Sequence, residues 1–148
     1  MNAIPGREAA LTAETLYREG LSSPSFDYDQ GSEQLIGLDD AEFIFLAGRD
    51  WPSFQFTRGL EGLISLGSVE FIHKAGIFWA GFDFERGFEA LRSLAEPEYV
   101  YRAGRFWREF DHERGLAAII ASGKARYVYY AGQEWKQFNY LKGFEALM

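Results

Sequence analysis

The chain has no cysteine, which removes disulfides, thiolate metal ligation and cysteine nucleophiles together. Histidine is nearly as scarce. His73 and His112 are the only two, and no carboxylate stands four residues from either, as a zinc-binding helix would need. No run of about 18 apolar residues occurs to span a bilayer. Met1 to Glu8 lacks the apolar stretch of an export signal, so a cytoplasmic protein is expected. There is no phosphate-binding glycine loop, nucleophile elbow or dinucleotide fingerprint. Basic residues are in the minority, 15 against 22 acidic, for a net charge of −7. That balance opposes nonspecific attraction to nucleic acid or anionic lipid and favours basic partners. Nothing here requires a cofactor or a metal.

What the chain has in plenty is glycine, 16 residues, and aromatic residues, 18%, and both are periodic. Trp51, Trp79, Trp107 and Trp135, all the tryptophans present, stand 28 residues apart. The same step relates Ala47-Gly48, Ala75-Gly76, Ala103-Gly104 and Ala131-Gly132, then Phe54, Phe82, Phe110 and Phe138, then Gly59, Gly87, Gly115 and Gly143. One step back, Gly20, Phe26, Gly31 and Leu35 keep their columns while Ser23 replaces the tryptophan. The 148 residues therefore read as one helical repeat domain of five units, at 13–40, 41–68, 69–96, 97–124 and 125–148, the first of them degenerate.

Within a unit, Ile44, Ala47, Gly48 and Trp51 fall at i, i+3, i+4 and i+7, one face of a helix. Phe56, Leu60 and Leu63 mark a second. Asp27, Asp83, Asp111 and Asn139 share the column before that second helix, where a side-chain oxygen accepts from exposed first-turn amides; Gln55 departs from it. Gly67-Ser68, Ala95-Glu96-Pro97 and Ser122-Gly123 punctuate the junctions between units. A glycine inside a helix costs roughly 0.5–1 kcal/mol against alanine, so retaining it column after column implies close approach of a neighbouring side chain. The expected fold is all-α, with about ten short helices stacked as a small α-solenoid. The pattern resembles two-helix solenoids such as the tetratricopeptide and HEAT classes. That resemblance implies stacked helical hairpins and no particular function, since the period is shorter than in either class and Ala-Gly-x-x-Trp-x-x-Phe is the signature of neither.

In such an array, buried columns repeat and exposed columns diverge. The tryptophans lie on the core stripe and are expected inside, Trp79 and Trp107 nearly completely. The column Tyr17, Phe45, His73, Tyr101 and Tyr129 lies beside that stripe and is expected half exposed. Both histidines substitute for aromatics in their columns. The Arg58, Arg86, Arg114 and Lys142 column is expected to pair with acids of its own repeat. Positions facing away from the stripe on the first helices give a candidate partner surface: Leu46, Ile77, Phe78, Arg102, Arg105, Phe106 and Tyr130, aromatic and arginine anchors of the kind that dominate interfaces.

The sequence thus points to a non-catalytic protein-interaction module, an adaptor or an acidic inhibitor-like binder, with a protein partner. A helical-repeat reader of nucleic acid using Arg102, Arg105, Arg108 and Lys136 is the first alternative, opposed by the net charge. A small carbohydrate-active enzyme is the second, with aromatics in its favour and no carboxylate pair set apart from the repeating ones. Phe144, Leu147 and Met148 at the C-terminal end are expected to be uncovered and to take part in binding or in a homodimer.

Overall fold

In a computed structural model, residues 11–94 and 96–148 are described. The export-signal reading of Met1–Glu8 and the Ala95 position of one junction lie outside them. Ten helices occupy the described residues, with no strand among them. They are α1 (Ala13–Ser22), α2 (Tyr28–Gly37), α3 (Ala41–Asp50), α4 (Phe56–Ser65), α5 (Val69–Phe78), α6 (Phe84–Ser93), α7 (Pro97–Phe106), α8 (His112–Ser122), α9 (Ala125–Glu134) and α10 (Tyr140–Leu147). None is long and apolar enough to cross a membrane.

Local chemistry sets the boundaries. Asp27, Asp83, Asp111 and Asn139 each accept from the backbone N–H three residues on, at 2.9–3.1 Å, closing the N-termini of α2, α6, α8 and α10. Thr12 and Asp40 cap α1 and α3 in the same way. Gln55 forms no such cap. Its backbone N–H donates instead to the buried Ser32 hydroxyl at 3.3 Å. Ser68 makes no side-chain cap, and it follows Gly67 at φ 65°. Gly123 at φ 75° holds the equivalent position after α8 and Asp39 at φ 58° after α2, where aspartate is among the side chains that tolerate the left-handed region.

Each odd-numbered helix packs on the even helix that follows it and also on the next odd helix. The apolar stripe feeds the core between them. Ile44, Ile72, Val100 and Val128 are buried along the odd helices and Leu35, Leu63, Leu91 and Ile119 along the even ones. Trp79 is 1% exposed and Trp107 5%. The tryptophan does not continue its helix, however. In each of the four units that carry it, it is the C-cap residue, in extended conformation at φ −73° to −79° and ψ 139° to 144°.

That break in the helix lets the indole reach backwards. Trp51, Trp79, Trp107 and Trp135 donate their indole N–H to the carbonyls of Tyr17, Phe45, His73 and Tyr101, at 2.9–3.0 Å. Each acceptor lies 34 residues earlier, on the preceding odd helix. The ring then lies across two glycines. A Cβ added at Gly20, Gly48, Gly76 or Gly104 would stand under 3.0 Å from indole atoms, and one at Gly59, Gly87 or Gly115 would be 3.1 Å from the far corner of the same ring. The second glycine also faces its own unit's Phe54, Phe82 or Phe110, whose edges meet the tryptophan with centroids 5.1–5.4 Å apart. The glycine columns are therefore the floor of a tryptophan socket, and their helical cost is offset by the burial of an indole of 150–250 Å² or so.

Candidate functional site

Because α1, α3, α5, α7 and α9 touch in succession, their outward residues share one row. Phe78 is 54% exposed, Phe106 49% and Tyr130 40%. Each rests its ring on an aromatic residue of the preceding odd helix: Phe78 on Phe45 at 6.0 Å, Phe106 on His73 at 6.2 Å and Tyr130 on Tyr101 at 5.9 Å. Arg105 lies over Phe106 at 4.8 Å and reaches Glu134 at 3.5 Å. Arg102 lies over Tyr99 at 5.4 Å and pairs with Glu98 at 2.7 Å. Leu46 and Ile77 are half-buried and pack against the core, so they support the row more than they face solvent. Where Phe78 and Phe106 have their equivalent in α3, Asp50 stands instead. It accepts from the Tyr17 hydroxyl and from Arg49 at 2.7 Å, and the Arg49 bond holds its carboxyl below the usual range.

Tyr129 belongs with this surface although its column suggested partial burial. It is 53% exposed with its ring 6.0 Å from Tyr130, whereas the equivalent Phe45 and His73 are 4% and 6% exposed. The signal available in the sequence was its place in the final unit, where no following odd helix covers it.

Three of the four cations considered for nucleic acid are engaged by acids, rings or a backbone carbonyl. Arg102 and Arg105 pair with Glu98 and Glu134, Arg108 lies over Phe84 at 4.8 Å and donates to the Ala80 carbonyl at 3.5 Å, and Lys136 is exposed. Arg58, Arg86 and Arg114 pair across units and not within one, contrary to expectation. Arg58 meets Glu33, Arg86 meets Glu61 at 2.6 Å, and Arg114 meets Glu85 at 2.8 Å and also Glu89. Helix stacking brings an arginine nearer to the acid of the preceding even helix than to its own. A groove lined by Phe84, Phe88, Phe110, Glu85, Glu109 and Asp111 does combine aromatics with carboxylates. Asp111 spends its oxygen on the α8 cap, Glu85 pairs with Arg114 and Glu109 is exposed. That leaves no desolvated acid facing an ionised partner, the arrangement hydrolysis of a glycoside needs.

His73 is buried, and burial first, with the Arg102 and Lys74 charges behind it, pushes its imidazole down to about 4. Its ring meets Tyr99 and Phe106 edge-on, as an aromatic substitute would. His112 places Nε2 2.9 Å from the Gly104 carbonyl and packs against Phe110 and Trp135; Tyr28 makes the same bond to Gly20. Among the described residues no group of three or more metal-ligating side chains converges. At the C-terminal end Phe144 is 63% exposed, Leu147 45% and Met148 87%.

No family model matches the sequence, and neither a curated protein nor a solved structure matches it significantly.

Proposed function

We propose that the protein is a non-catalytic protein-binding module, built as a small α-solenoid of five two-helix units. The 28-residue repeat and the succession of contacts from each odd helix to the next support the solenoid arrangement. The observation that carries the binding reading is the exposure of Phe78, Phe106, Tyr129 and Tyr130 on one row of helices, with Arg102 and Arg105 lying over rings of the same row. Apart from Tyr140 and Phe144, the other aromatic side chains are buried or half-buried, and these four stay in water. Aromatic and arginine side chains are the ones that contribute most at protein interfaces, through large area at little entropic cost. Carboxylates such as Glu98 and Glu134, interleaved with the arginines, favour a partner presenting both charge signs around an apolar centre over a uniformly anionic one.

The test is site-specific photo-crosslinking in cells of the source organism. A photoreactive phenylalanine at position 78 or 106 should capture one recurrent protein, and the same probe at Thr57 or Glu113, on the even helices, should not. Phe78→Ser with Phe106→Ser should remove the product from a probe at 130 while leaving thermal unfolding within a few degrees of wild type, since both rings are about half exposed. Identical products from both faces would defeat the proposal.

A further inference from the structure

The four tryptophan sockets inside the chain have a fifth counterpart, and we propose that it binds a tryptophan presented at the end of a short amphipathic helix. An occupied socket has five parts, seen around Trp107: the glycine of the odd helix (Gly76), the glycine of the even helix (Gly87), the accepting carbonyl (His73) and two aromatic walls, Phe82 at 5.1 Å and Phe84 at 5.7 Å. Twenty-eight residues apart, the same parts recur for Trp51, Trp79 and Trp135. They recur once more at Gly132, Gly143, the Tyr129 carbonyl, Phe138 and Tyr140, where the 148-residue sequence holds no further tryptophan.

The geometry there is that of a socket without its indole. A Cβ at Gly132 meets only Phe138, at 3.3 Å and beyond, whereas at Gly20, Gly48, Gly76 and Gly104 it would collide with an indole. At Gly143 the Phe138 contact is kept, and the tryptophan contact shared by Gly31, Gly59, Gly87 and Gly115 is missing. The side chains around it are uncovered in step. Phe144 and Leu147 are 63% and 45% exposed, although Leu60, Phe88 and Leu116 in the first column and Leu63, Leu91 and Ile119 in the second are at most 3% exposed. Together Val128, Tyr129, Gly132, Phe138, Gly143 and Phe144 line a groove of about 250 Å³. An apolar cavity of about 150 Å³ takes up benzene, so the two rings of an indole fit this one.

The repeat also specifies the occupant. Every internal tryptophan follows the last turn of a ten-residue helix, sits in extended backbone, and carries a phenylalanine three residues on. The fitting ligand is thus a short amphipathic helix ending in Trp-x-x-Phe, whose indole N–H reaches the Tyr129 carbonyl and whose apolar stripe covers Val128, Phe144 and Leu147. A second copy of this chain does not meet that description. Its own four tryptophans are each bonded within the chain, and its first unit offers Ser23 in the tryptophan column. This groove meets the row of exposed aromatics at Tyr129, so the two proposals are told apart by residues that only one of them uses, Phe78 and Phe106 on the row against Gly132 and Gly143 in the socket.

The probe is a synthetic peptide copying residues 97–111, which contains α7, Trp107 and Phe110, titrated to about 1 mM against the full chain, a range that reveals even weak complexes. Amide spectra should show saturable shifts centred on Gly132 and Gly143. Replacing the peptide's Trp107 by Ala should weaken binding at least tenfold. So should Gly132→Ala in the protein, which puts a methyl group where the indole would lie and meets the unliganded fold only at Phe138, 3.3 Å away, and whose thermal midpoint should stay within a few degrees of that of wild type. Phe78→Ser with Phe106→Ser should leave the titration unchanged. Absence of shifts at the highest concentration, or binding indifferent to Gly132→Ala, would overturn the proposal. So would a dimer in sedimentation of the chain alone that Gly132→Ala dissolves, because it would assign the socket to a second copy.

Discussion

Gly76→Ala tests the socket where it is occupied. The Cβ it adds would stand under 3.0 Å from the Trp107 indole, and ordinary contact begins at 3.4 Å. The ring has little room to retreat: its far corner lies over the Gly87 backbone, and Phe82 closes the other side at 5.1 Å. Moving it also breaks the 2.9 Å bond to the His73 carbonyl in a site where Trp107 is 5% exposed. Overpacking of this kind costs roughly 1–3 kcal/mol, and an indole N–H left buried without an acceptor costs roughly 1–3 kcal/mol more. Alanine returns roughly 0.5–1 kcal/mol as the better helix former. The net expectation is a loss of roughly 1–5 kcal/mol, or a thermal midpoint lower by roughly 2–20 °C. Gly37→Ala is the control. It ends α2 with nothing within 4 Å of an added Cβ, so only the helical gain applies. Urea unfolding followed by far-ultraviolet circular dichroism, with slopes compared as well as midpoints, separates the two. If Gly76→Ala proves as stable as Gly37→Ala, the glycine columns are not held by the indoles and the packing argument is wrong.

Trp79→Ala removes the most buried of the four indoles, 1% exposed, and should cost roughly 3–5 kcal/mol in the same urea assay; Trp79→Phe should cost less while still losing the bond to the Phe45 carbonyl. A loss of the size seen for a surface substitution would contradict its core role. Acid should weaken the fold through His73. Folded, its imidazole stays neutral down to about 4, while unfolded it takes a proton near 6.5, so the unfolded chain binds more protons in that window. Stability from this source is complete above pH 6.5 and falls by about 3 kcal/mol on the way to pH 4. His73→Phe, which restores the column's aromatic character, should flatten that part of the stability profile relative to wild type. The carboxylates whose ion pairs lower their titration, Asp50, Glu61 and Glu89, act in both proteins. Superimposable profiles would clear His73 of any part in it.

The period made equivalence legible and left geometry hidden. Columns of identical residues announced the two helices, the capping Asp83 and Asp111, the buried Trp79 and Trp107, and the need for glycine at Gly48 and Gly59. How one unit is set upon the next is a property of the contact, not of the column. A separation of 34 residues from carbonyl to indole, or of 25 from Glu61 to Arg86, follows from the rotation and shift between units, which a spacing of 28 does not encode. For the same reason the arginines were assigned to the wrong acids, and the tryptophan was read as the eighth residue of a helical stripe when its backbone has already left the helix. The exposed row was legible in part. Phe78, Phe106 and Tyr130 were visible as departures from their columns, whereas Leu46 and Ile77 diverge equally and yet lean inward. Divergence marks freedom from the stacking constraint, and a half-buried rim has some of that freedom too.

The backward reach of each tryptophan gives the array a direction in time. A socket's carbonyl leaves the ribosome 34 residues ahead of the indole that closes it, a delay of about 2–7 s at ordinary rates of synthesis. Until that indole emerges no second socket is complete, because the even-helix glycine of the next one, Gly59 for Trp79, follows Trp51 in the chain, and the next tryptophan to emerge is the correct one. Four interchangeable sockets and four interchangeable indoles would otherwise permit out-of-register pairings, such as Trp107 seated over Gly48. A chain diluted from denaturant presents all of them at once. Vectorial synthesis therefore supplies an ordering that the repeating sequence, by its own near-identity, does not contain.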